Sequence, residues 1–354
     1  MKSIRHAMPV RMCAAALIAV SLFAPATLHA LEITFMVGSV SLTRGGKTSA
    51  PAVRTRLASG DTLTTGKGSL ADLALADGSQ IKVMENSSIR FSGDIKDRPD
   101  SVSVIAGIVE SKFKKLAKGS QSRIITPTTV CSVRGTEFRV AVSDSGDSRI
   151  DMQEGAVELR NPYGKTAIRN RQQSSVRMND KPAAAREGAG LEQWKEQRDR
   201  ALDENPREQG GRIKTYLGTM NDRSAKTSDR ISGLGSDLRD NAPRTKRALK
   251  KSGTELDRLD EEVKDDLYLS EATNESLGRM SERFSKGQGD IRELFTRLKE
   301  ESDRVCEQKR KNYESIQAVK AAYRKAYDEI MGTMNTEREK IRRQFDEQRE
   351  TKPE

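Results

Sequence analysis

The sequence has 354 residues and a formal net charge of +11, and this length accommodates two domains. Its two histidines, His6 and His29, lie near the N-terminus, so residues 31–354 have neither a histidine base nor a histidine metal ligand. This composition excludes histidine-dependent serine or cysteine hydrolases and ordinary zinc sites from that part of the chain. Its thiols, Cys131 and Cys306, are far apart in the sequence and do not indicate a disulfide framework.

Residues 1–30 have the features of a secretory signal peptide. Three basic residues precede an apolar run at residues 13–24 that is too short to span a bilayer, and small residues follow it. We predict export to the periplasm, with cleavage between Ala30 and Leu31. Cleavage after Ala26, or retention as an N-terminal anchor, are the alternatives. The later part of the chain has no apolar segment long enough to cross a membrane.

The excess of positive charge lies mainly in residues 31–180, which contain 22 Lys and Arg against 16 Asp and Glu. A positive exported domain favours anionic envelope polymers or lipid surfaces as partners. We expect no nucleic-acid partner for an exported protein.

Residues 32–178 alternate apolar and polar side chains with a period of two, which is typical of β-strands. The pattern is clearest at residues 60–83, where short alternating runs are separated by turn residues such as Asp77 and Gly78. Strands of about five residues at intervals of about 8–12 indicate an all-β sandwich, barrel or solenoid. The positions predicted to be buried there are Leu70, Leu73, Leu75, Ile81 and Val83.

A second such stretch lies at residues 125–142. Cys131 and Val133 share one face of a strand, and three apolar residues share one face of the next. We therefore expect residues 134–137 to form a corner or bulge between two buried strands.

Several short motifs follow one another through this region. They are G-x-V at residues 38–40, L-x-x-G-D-x-L-x-T-G at 57–66, L-x-L-x-D-G-S at 73–79, T-P at 126–127, R-G-T-E-F at 134–138 and E-G-A-V-E at 154–158. As a set they resemble the FecR domain, and the resemblance covers about residues 36–178. It implies a periplasmic module built as a twisted β-solenoid or roll. This module is found in bacterial regulators of siderophore uptake and in exported proteins with unrelated partners.

The chain departs from those regulators at its N-terminus. The regulators carry a cytoplasmic sigma-factor-binding segment and a transmembrane helix before the module, whereas about thirty residues precede it here. We therefore carry over neither sigma-factor control nor iron. The resemblance implies no catalytic, cofactor-binding or metal-binding residue, and we predict structural roles in turns or corners for Asp61, Asp77, Arg134 and Glu137.

A basic cluster follows the predicted strand before residue 113 and is a candidate anion-binding site; a solvated loop is the alternative. Carboxylates could also supply a glycan-cleaving pair, although nearly all of them lie beside Gly or Ser at turns. The basic cluster consists of Lys112, Lys114, Lys115 and Lys118.

From residue 190 the pattern becomes helical. Residues 181–211 are predicted to be a linker and a short helix that stops at Pro206 and the following glycine pair, Gly210 and Gly211. In residues 212–350, apolar side chains recur at steps of three and four, as in a coiled-coil seam. Breaks are expected at residues 241–243 and 287–289, and the last helix would extend about 85 Å.

The seam of the last helix is imperfect, because Ser302, Lys309 and Asn312 fall where apolar residues would pack. The helices therefore need partners, which an antiparallel bundle in one chain or pairing between chains would provide. Cys306 lies on this helix, and we expect a free thiol rather than a cross-link.

The predicted architecture is an all-β, FecR-like solenoid or roll at residues 31–180, followed by a separate all-α, extended helical or coiled-coil region. The predicted function is a non-enzymatic cell-envelope protein with a binding or scaffolding module and a helical spacer or oligomerisation arm. Its partners would be an envelope protein, a cell-wall polymer or a second copy of the chain, without a cofactor. The alternatives are electrostatic binding of peptidoglycan or another anionic glycan, and a carboxylate-dependent glycan-cleaving enzyme.

Overall fold

The computed structural model describes residues 31–75, 77–92, 101–114, 122–133, 135–185, 190–240, 246–287 and 289–350. Its first eight strands are β1 (Leu31–Val37), β2 (Val40–Arg44), β3 (Lys47–Ser49), β4 (Arg56–Leu57), β5 (Thr62–Thr65), β6 (Leu70–Ala74), β7 (Gln80–Val83) and β8 (Ser88–Phe91). The next eight are β9 (Ser101–Lys112), β10 (Ser122–Ile125), β11 (Val130–Val133), β12 (Glu137–Val142), β13 (Ser148–Glu154), β14 (Ala156–Asn161), β15 (Gly164–Arg169) and β16 (Gln173–Val176). The helices are α1 (Leu191–Glu204), α2 (Pro206–Asp240), α3 (Lys246–Phe284) and α4 (Gly289–Glu350). Within the described ranges, no helix is both long and apolar enough to span a membrane.

The long strand β9 belongs to two sheets. Its second half lies between β7 and β12 in a first sheet of order β4-β1-β6-β7-β9-β12-β13-β16. Its first half lies between β8 and β10 in a second sheet of order β3-β2-β5-β8-β9-β10-β11-β14-β15. All of these pairs are antiparallel except β9 with β10.

The strand changes sheet at Gly107. Ala106 still pairs with Ser88 of the second sheet, and Gly107 already pairs with Val142 of the first. Gly107 has a φ of +91°, and a Cβ placed on it would lie 2.1 Å from the Ser87 hydroxyl and 2.4 Å from the Ser87 Cα. Only glycine satisfies both conditions without a shift of the neighbouring backbone.

The two sheets enclose one hydrophobic cluster, which contains inward-facing residues of both, such as Leu63 and Leu73. Neither sheet is closed in the described residues, because β4, β16, β3 and β15 end them. The predicted solenoid or roll is therefore not confirmed. Two sheets that face each other across a shared strand explain the same period of two, because a pleated strand alternates its faces in either arrangement.

The register of the first sheet decides which predicted core positions are buried. Leu73, Ile81 and Val83 are at most 1% exposed. Leu70 is half-buried, because it lies an odd number of residues from Leu73 on the same strand and therefore points to the other face with Asp72. The prediction that Leu70 belongs to the core is therefore wrong.

Helices α2, α3 and α4 pack against one another as an intrachain bundle. The expected breaks are confirmed, since α2 ends at Asp240 and α3 ends at Phe284. The predicted short helix does stop before Pro206, since α1 ends at Glu204, but the predicted break at the glycine pair is wrong. Proline suits a first helical turn, so Pro206 begins α2, and Gly210 lies inside α2 where its missing side chain leaves room for Leu294 of α4.

The three polar seam positions of α4 are buried, and Lys309 and Asn312 bond to the neighbouring helices. Lys309 Nζ lies 3.1 Å from Asp266 Oδ2 of α3. Asn312 Nδ2 donates to the carbonyl and the hydroxyl oxygen of Ser224 in α2, at 2.9 and 3.0 Å. These bonds satisfy groups whose burial alone would be costly, and they fix the register of α4 against its two neighbours.

The helical region is packed onto the β region rather than detached from it. One hydrophobic cluster joins Ile105, Ile125 and Val130 of the second sheet to residues of α2, α3 and α4, among them Tyr216 and Phe295. A further cluster holds the distal part of the bundle together. The predicted separate arm is therefore corrected for most of its length; among the described residues, only the side chains at 332–347 of α4 form a continuous exposed end.

Candidate functional site

An open groove with a volume of about 270 Å³ lies on the outer face of the first sheet. It is formed by the central strands β6, β7, β9 and β12, and the residues that line it come from the β region. Its polar lining includes Asp72, Gln80, Lys82, Glu110, Lys112 and Glu137.

The outer face of this sheet carries charges of alternating sign across its strands. Asp72 is paired in register with Lys82, Lys82 with Glu110, Glu110 with Arg139, and Arg139 with Asp151. Arg139 Nε lies 3.1 Å from Glu110 Oε1, and Lys82 Nζ lies 3.8 Å from Asp72 Oδ1. Opposite charges directly across a strand pair stabilise it, and they leave the groove polar with little net charge.

The structure places the candidate anion-binding lysines differently from one another. Lys112 lies in the groove, where its Nζ is 3.1 Å from Glu137 Oε2. Lys114 lies beside the β6–β7 turn, and its backbone N–H donates to the Ser79 hydroxyl at 3.0 Å. Lys115 and Lys118 are outside the described residues. The anion site stays a prediction. The sequence did not show that Glu137 faces Lys112, because this contact depends on how β12 is aligned with β9.

Two of the predicted structural carboxylates hold turns. Asp77 accepts from the backbone N–H and the hydroxyl of Ser79, at 2.7 and 2.9 Å, and Gly78 between them has a φ of +79°. Asp61 accepts from the Ala58 N–H at 2.7 Å. These side-chain contacts fix the backbone at two of the FecR-like motifs. Arg134 lies outside the described residues.

Asp61 is also bound by Arg44. The Arg44 guanidinium donates to both carboxylate oxygens, with Nε 2.9 Å from Oδ1, and Asp61 is 1% exposed. Burial alone would raise the pKa of Asp61, but the hydrogen bonds from Arg44 and Ala58 lower it below its ordinary value of 3.8. The ionised form is therefore the one that stabilises the fold.

We expect Asp61→Asn to lower the free energy of unfolding by about 1–3 kcal/mol at neutral pH, because a buried charged acceptor is lost. Since the folded-state pKa of Asp61 is lowered, its contribution is present above pH 3.8 and is lost as the pH falls through the folded-state value. Urea unfolding of both proteins across this range measures it. The difference between them should shrink in acid, and a difference that does not depend on pH would contradict the role of Arg44.

The helical bundle contacts the β region at the T-P motif. Residues 126–129 make the turn between β10 and β11 and are fully buried or nearly so. The Pro127 carbonyl accepts from the Tyr216 hydroxyl of α2 at 3.1 Å and from the Thr273 hydroxyl of α3 at 2.9 Å. Burial raises the pKa of Tyr216, so its hydroxyl remains a proton donor. The turn at the T-P motif is thus the point where α2 and α3 contact the FecR-like module.

A buried ionic cluster lies next to this turn. Arg123 of β10 has its Nε 2.7 Å from Asp265 Oδ1 and its Nη2 2.5 Å from Glu261 Oε2, both on α3. Arg160 of β14 pairs with the same Asp265. Arg123 and Asp265 side chains are each 5% exposed. Burial lowers the pKa of Arg123, yet a guanidinium stays protonated. Asp265 and Glu261 together balance the charges of the two arginines, which the sheet would otherwise hold without counter-ions.

A second β turn, at residues 143–147, contacts the first two helices. Arg198 Nη2 of α1 lies 2.8 Å from Asp147 Oδ2, and Gln209 Nε2 of α2 donates to the Ser145 carbonyl at 2.9 Å. We call the two turns, with the ionic cluster and the apolar residues between them, the joint. The sequence analysis did not predict the joint. A signal for it was present, because the apolar face of α2 is wider than a coiled-coil seam, as expected of a helix that packs on more than one neighbour. This face consists of Ile213, Tyr216, Leu217 and Met220.

The two thiols among the described residues, Cys131 and Cys306, lie in inert environments. Cys131 is fully buried and burial raises its pKa, while burial raises the pKa of Cys306 to about 11. Both thiols are therefore protonated at neutral pH, and a protonated buried thiol is a poor nucleophile. Among the residues with described positions, no three His, Cys, Asp or Glu side chains group as metal ligands would.

Residues 61–158 match the family model described as FecR protein. Two crystal structures of a "putative anti-sigma factor" from Parabacteroides distasonis, at 1.65 and 2.50 Å resolution, also match, each with 16% identity, a TM-score of 0.32 and coverage of 36% of this chain and 60% of that chain. The chain thus spans about 60% of the length of that protein. No curated protein is significantly similar to it. The matched segment contains the turn motifs of Asp61, Asp77 and Pro127, so the β region of this chain contains a FecR domain.

Proposed function

We propose that this protein is a non-enzymatic scaffold of the cell envelope. Its FecR domain would bind a partner through the groove, and its helical bundle would act as a rigid spacer. The observation that supports the proposal is that the helices cover one surface of the FecR domain and leave another open. The joint covers the T-P turn with helices, whereas the groove on the outer face of the first sheet is open and lined by β residues.

The chemistry of the groove favours a polar partner without a strong net charge. Its cations and carboxylates are paired with one another, as Lys112 is with Glu137 and Lys82 with Asp72. A partner would therefore exchange hydrogen bonds with amides, hydroxyls and already neutralised ions. A neutral polysaccharide segment or an extended peptide of an envelope protein meets this requirement. An anionic polymer would have to compete with Glu137 for Lys112.

Binding to purified cell-wall sacculi at two salt concentrations tests this proposal. The protein from Leu31 onward is compared with Gln80→Trp, which would fill the groove, and with the control Ser49→Trp on β3, where the side chain is exposed on the other sheet. We expect retention that is nearly independent of salt and that Gln80→Trp abolishes while Ser49→Trp does not. Retention unaffected by Gln80→Trp would contradict a role for the groove.

The same experiment separates the alternatives. Retention that weakens as salt rises, and is lost in Lys112→Glu/Lys114→Glu, would favour electrostatic binding of an anionic glycan. Release of soluble fragments from the sacculi would contradict the absence of catalysis. Export is checked by fractionation and mass spectrometry, for which we expect an envelope protein whose first residue is Leu31. An intact N-terminus in the cytoplasm would contradict export.

A further inference from the structure

Strand β1 carries two exposed apolar side chains at the edge of the first sheet. Phe35 is 52% exposed and Val37 is 51% exposed. Each lies directly opposite an outer-face residue of β6, Asp72 or Leu70, and therefore points to the outer face as well. Within the described residues, the pairing of β1 with β4 ends at Glu32. The two apolar side chains thus lie where the described strands leave this edge open.

A β-bulge in β1 explains this exposure. Leu31 and Ile33 point into the core, and strict alternation would place residues 35 and 37 there as well. The register of β1 with β6 shifts between Ile33 and Phe35, so Met36 packs against the core in their place. A shift of one residue moves every later side chain to the opposite face, and bulges at sheet edges often redirect side chains in this way. The backbone thus turns Phe35 and Val37 out to solvent.

The turn beside β1 adds a third exposed apolar side chain. The Arg54 N–H donates to the Ile33 carbonyl at 2.7 Å, which fixes the turn to the strand. The Thr55 N–H closes the turn on the Ala52 carbonyl at 3.0 Å, and Val53 at its tip is 48% exposed. Arg54 has a φ of +71°, a conformation that glycine adopts with less strain. The chain therefore places an apolar and a basic side chain here in spite of backbone strain.

The exposed apolar side chains lie beside an excess of positive charge. Residues 31–65, from β1 to β5, contain four basic residues and two carboxylates. Both carboxylates already accept from arginines, Glu32 from Arg56 and Asp61 from Arg44. The Arg44 guanidinium also donates to the Arg56 carbonyl at 2.9 Å, which brings the β2–β3 hairpin and its Lys47 next to β4. We call the exposed apolar and basic side chains of this region the edge patch. It consists of Phe35, Val37, Lys47, Val53, Arg54 and Arg56.

We propose that the edge patch binds the surface of an anionic phospholipid bilayer. Phe35, Val37 and Val53 enter the boundary between the headgroups and the acyl chains. The basic side chains of the patch contact the lipid phosphates. Peripheral binding of this kind combines buried apolar area with the attraction of basic residues to anionic lipids, and the edge patch provides both.

The shape and charge of the edge patch distinguish it from the groove. Its apolar side chains lie at a strand edge and a turn tip, whereas a small soluble ligand needs a concave site. It has more basic residues than carboxylates, whereas the ions of the groove are paired with one another. The helical bundle packs against the second sheet and leaves the edge patch exposed. The inference therefore concerns a second surface of the FecR domain and does not depend on what the groove binds.

Sedimentation with lipid vesicles tests the proposal. The protein from Leu31 onward is mixed with vesicles of phosphatidylglycerol and phosphatidylethanolamine, or of phosphatidylcholine alone, at two salt concentrations. We expect binding to the anionic vesicles that weakens as the salt concentration rises, and binding to the neutral vesicles that is weaker by about 10-fold or more. No binding to the anionic vesicles, or equal binding to both kinds, would overturn the proposal.

Two double variants test the apolar contacts. Phe35→Ser with Val37→Ser should weaken binding to the anionic vesicles by about 10-fold or more, because apolar area that enters the bilayer is lost. Ile341→Ser with Phe345→Ser is the matched control, since these side chains are 54% and 66% exposed on α4. It should leave binding unchanged. An equal loss in the two double variants would overturn insertion through the edge patch.

Arg54→Gly tests the basic contact without a risk to the fold, because glycine suits the positive φ of this residue. We expect it to weaken binding to the anionic vesicles by about 5-fold, with no fall in the urea midpoint. Arg171→Gly is the matched control, since Arg171 is also exposed, has a φ of +61° and lies outside the edge patch. It loses the same charge and should leave binding unchanged. An equal effect of the two variants on binding would overturn the assignment to the edge patch.

Discussion

Asp265→Asn is expected to lower the free energy of unfolding by about 3–5 kcal/mol, because it removes the buried carboxylate that two arginines share. The carboxylate pairs with Arg123 and Arg160, which come from two strands of the second sheet. The Arg123 and Asp265 side chains are each 5% exposed, so water has little access to the lost contact with Arg123. The loss should appear as a lower urea midpoint for the whole chain rather than for the helices alone.

The control for this variant is the same substitution at an exposed ion pair. Asp290 at the start of α4 pairs with Arg207, and their side chains are 51% and 74% exposed. Asp290→Asn should leave the urea midpoint unchanged, because exposed pairs contribute little. Replacing the three charges together, as Arg123→Met, Arg160→Met and Asp265→Leu, should recover much of the stability lost in the single variant. Equal midpoints for Asp265→Asn and Asp290→Asn would contradict the role of the cluster.

Gly107→Ala is the second substitution with a large expected effect. The positive φ of Gly107 alone costs an L-residue about 1–2 kcal/mol. The added methyl group would also meet the Ser87 side chain and its Cα, and such overpacking adds about 1–3 kcal/mol. Because β9 passes from one sheet to the other at this residue, the strain acts on both sheets at once.

Gly60→Ala separates the two contributions. Gly60 has a φ of +89°, close to that of Gly107, but a Cβ there has no atom within 4 Å. We therefore expect backbone strain alone, about 1–2 kcal/mol, and a clearly larger loss for Gly107→Ala in urea unfolding. Equal losses for the two variants would contradict the close approach of Ser87 to the bend in β9.

Periodicity predicted most of the local structure. The period of two placed Leu73, Ile81 and Val83 in the core, and the turn residues around Asp61 and Asp77 were correctly identified. These features depend on short stretches of chain, where side-chain alternation and turn geometry act directly. The resemblance to the FecR domain rested on the same stretches.

Periodicity could not predict how those elements are arranged in the fold. The alternation of apolar residues shows that a face is buried but not what covers it. Ile105, Ile125 and Val130 lie on strands but pack against helices, and the alternation does not show this. The pairing of Lys112 with Glu137 depends on the register of β9 with β12, which brings together residues 25 positions apart.

The helical seam combined two different surfaces in one pattern. As far as Tyr323, its apolar and polar positions pack within the chain, and the choice between an intrachain bundle and interchain pairing is settled there in favour of the bundle. Beyond that point the same helix has exposed apolar residues such as Ile341 and Phe345. A single seam thus contains positions that pack within the bundle and, further along α4, positions that are exposed among the described residues.

The central claim is that the FecR domain and the helical bundle form one cooperative unit through the joint. Each region has one buried thiol, Cys131 between the sheets and Cys306 in the bundle, and labelling of each thiol reports the opening of its own region. We propose labelling both across a urea series, with peptide mass spectrometry to distinguish them. The account predicts the same midpoint for Cys131 and Cys306, and labelling of Cys306 at lower urea while Cys131 stays protected would contradict it.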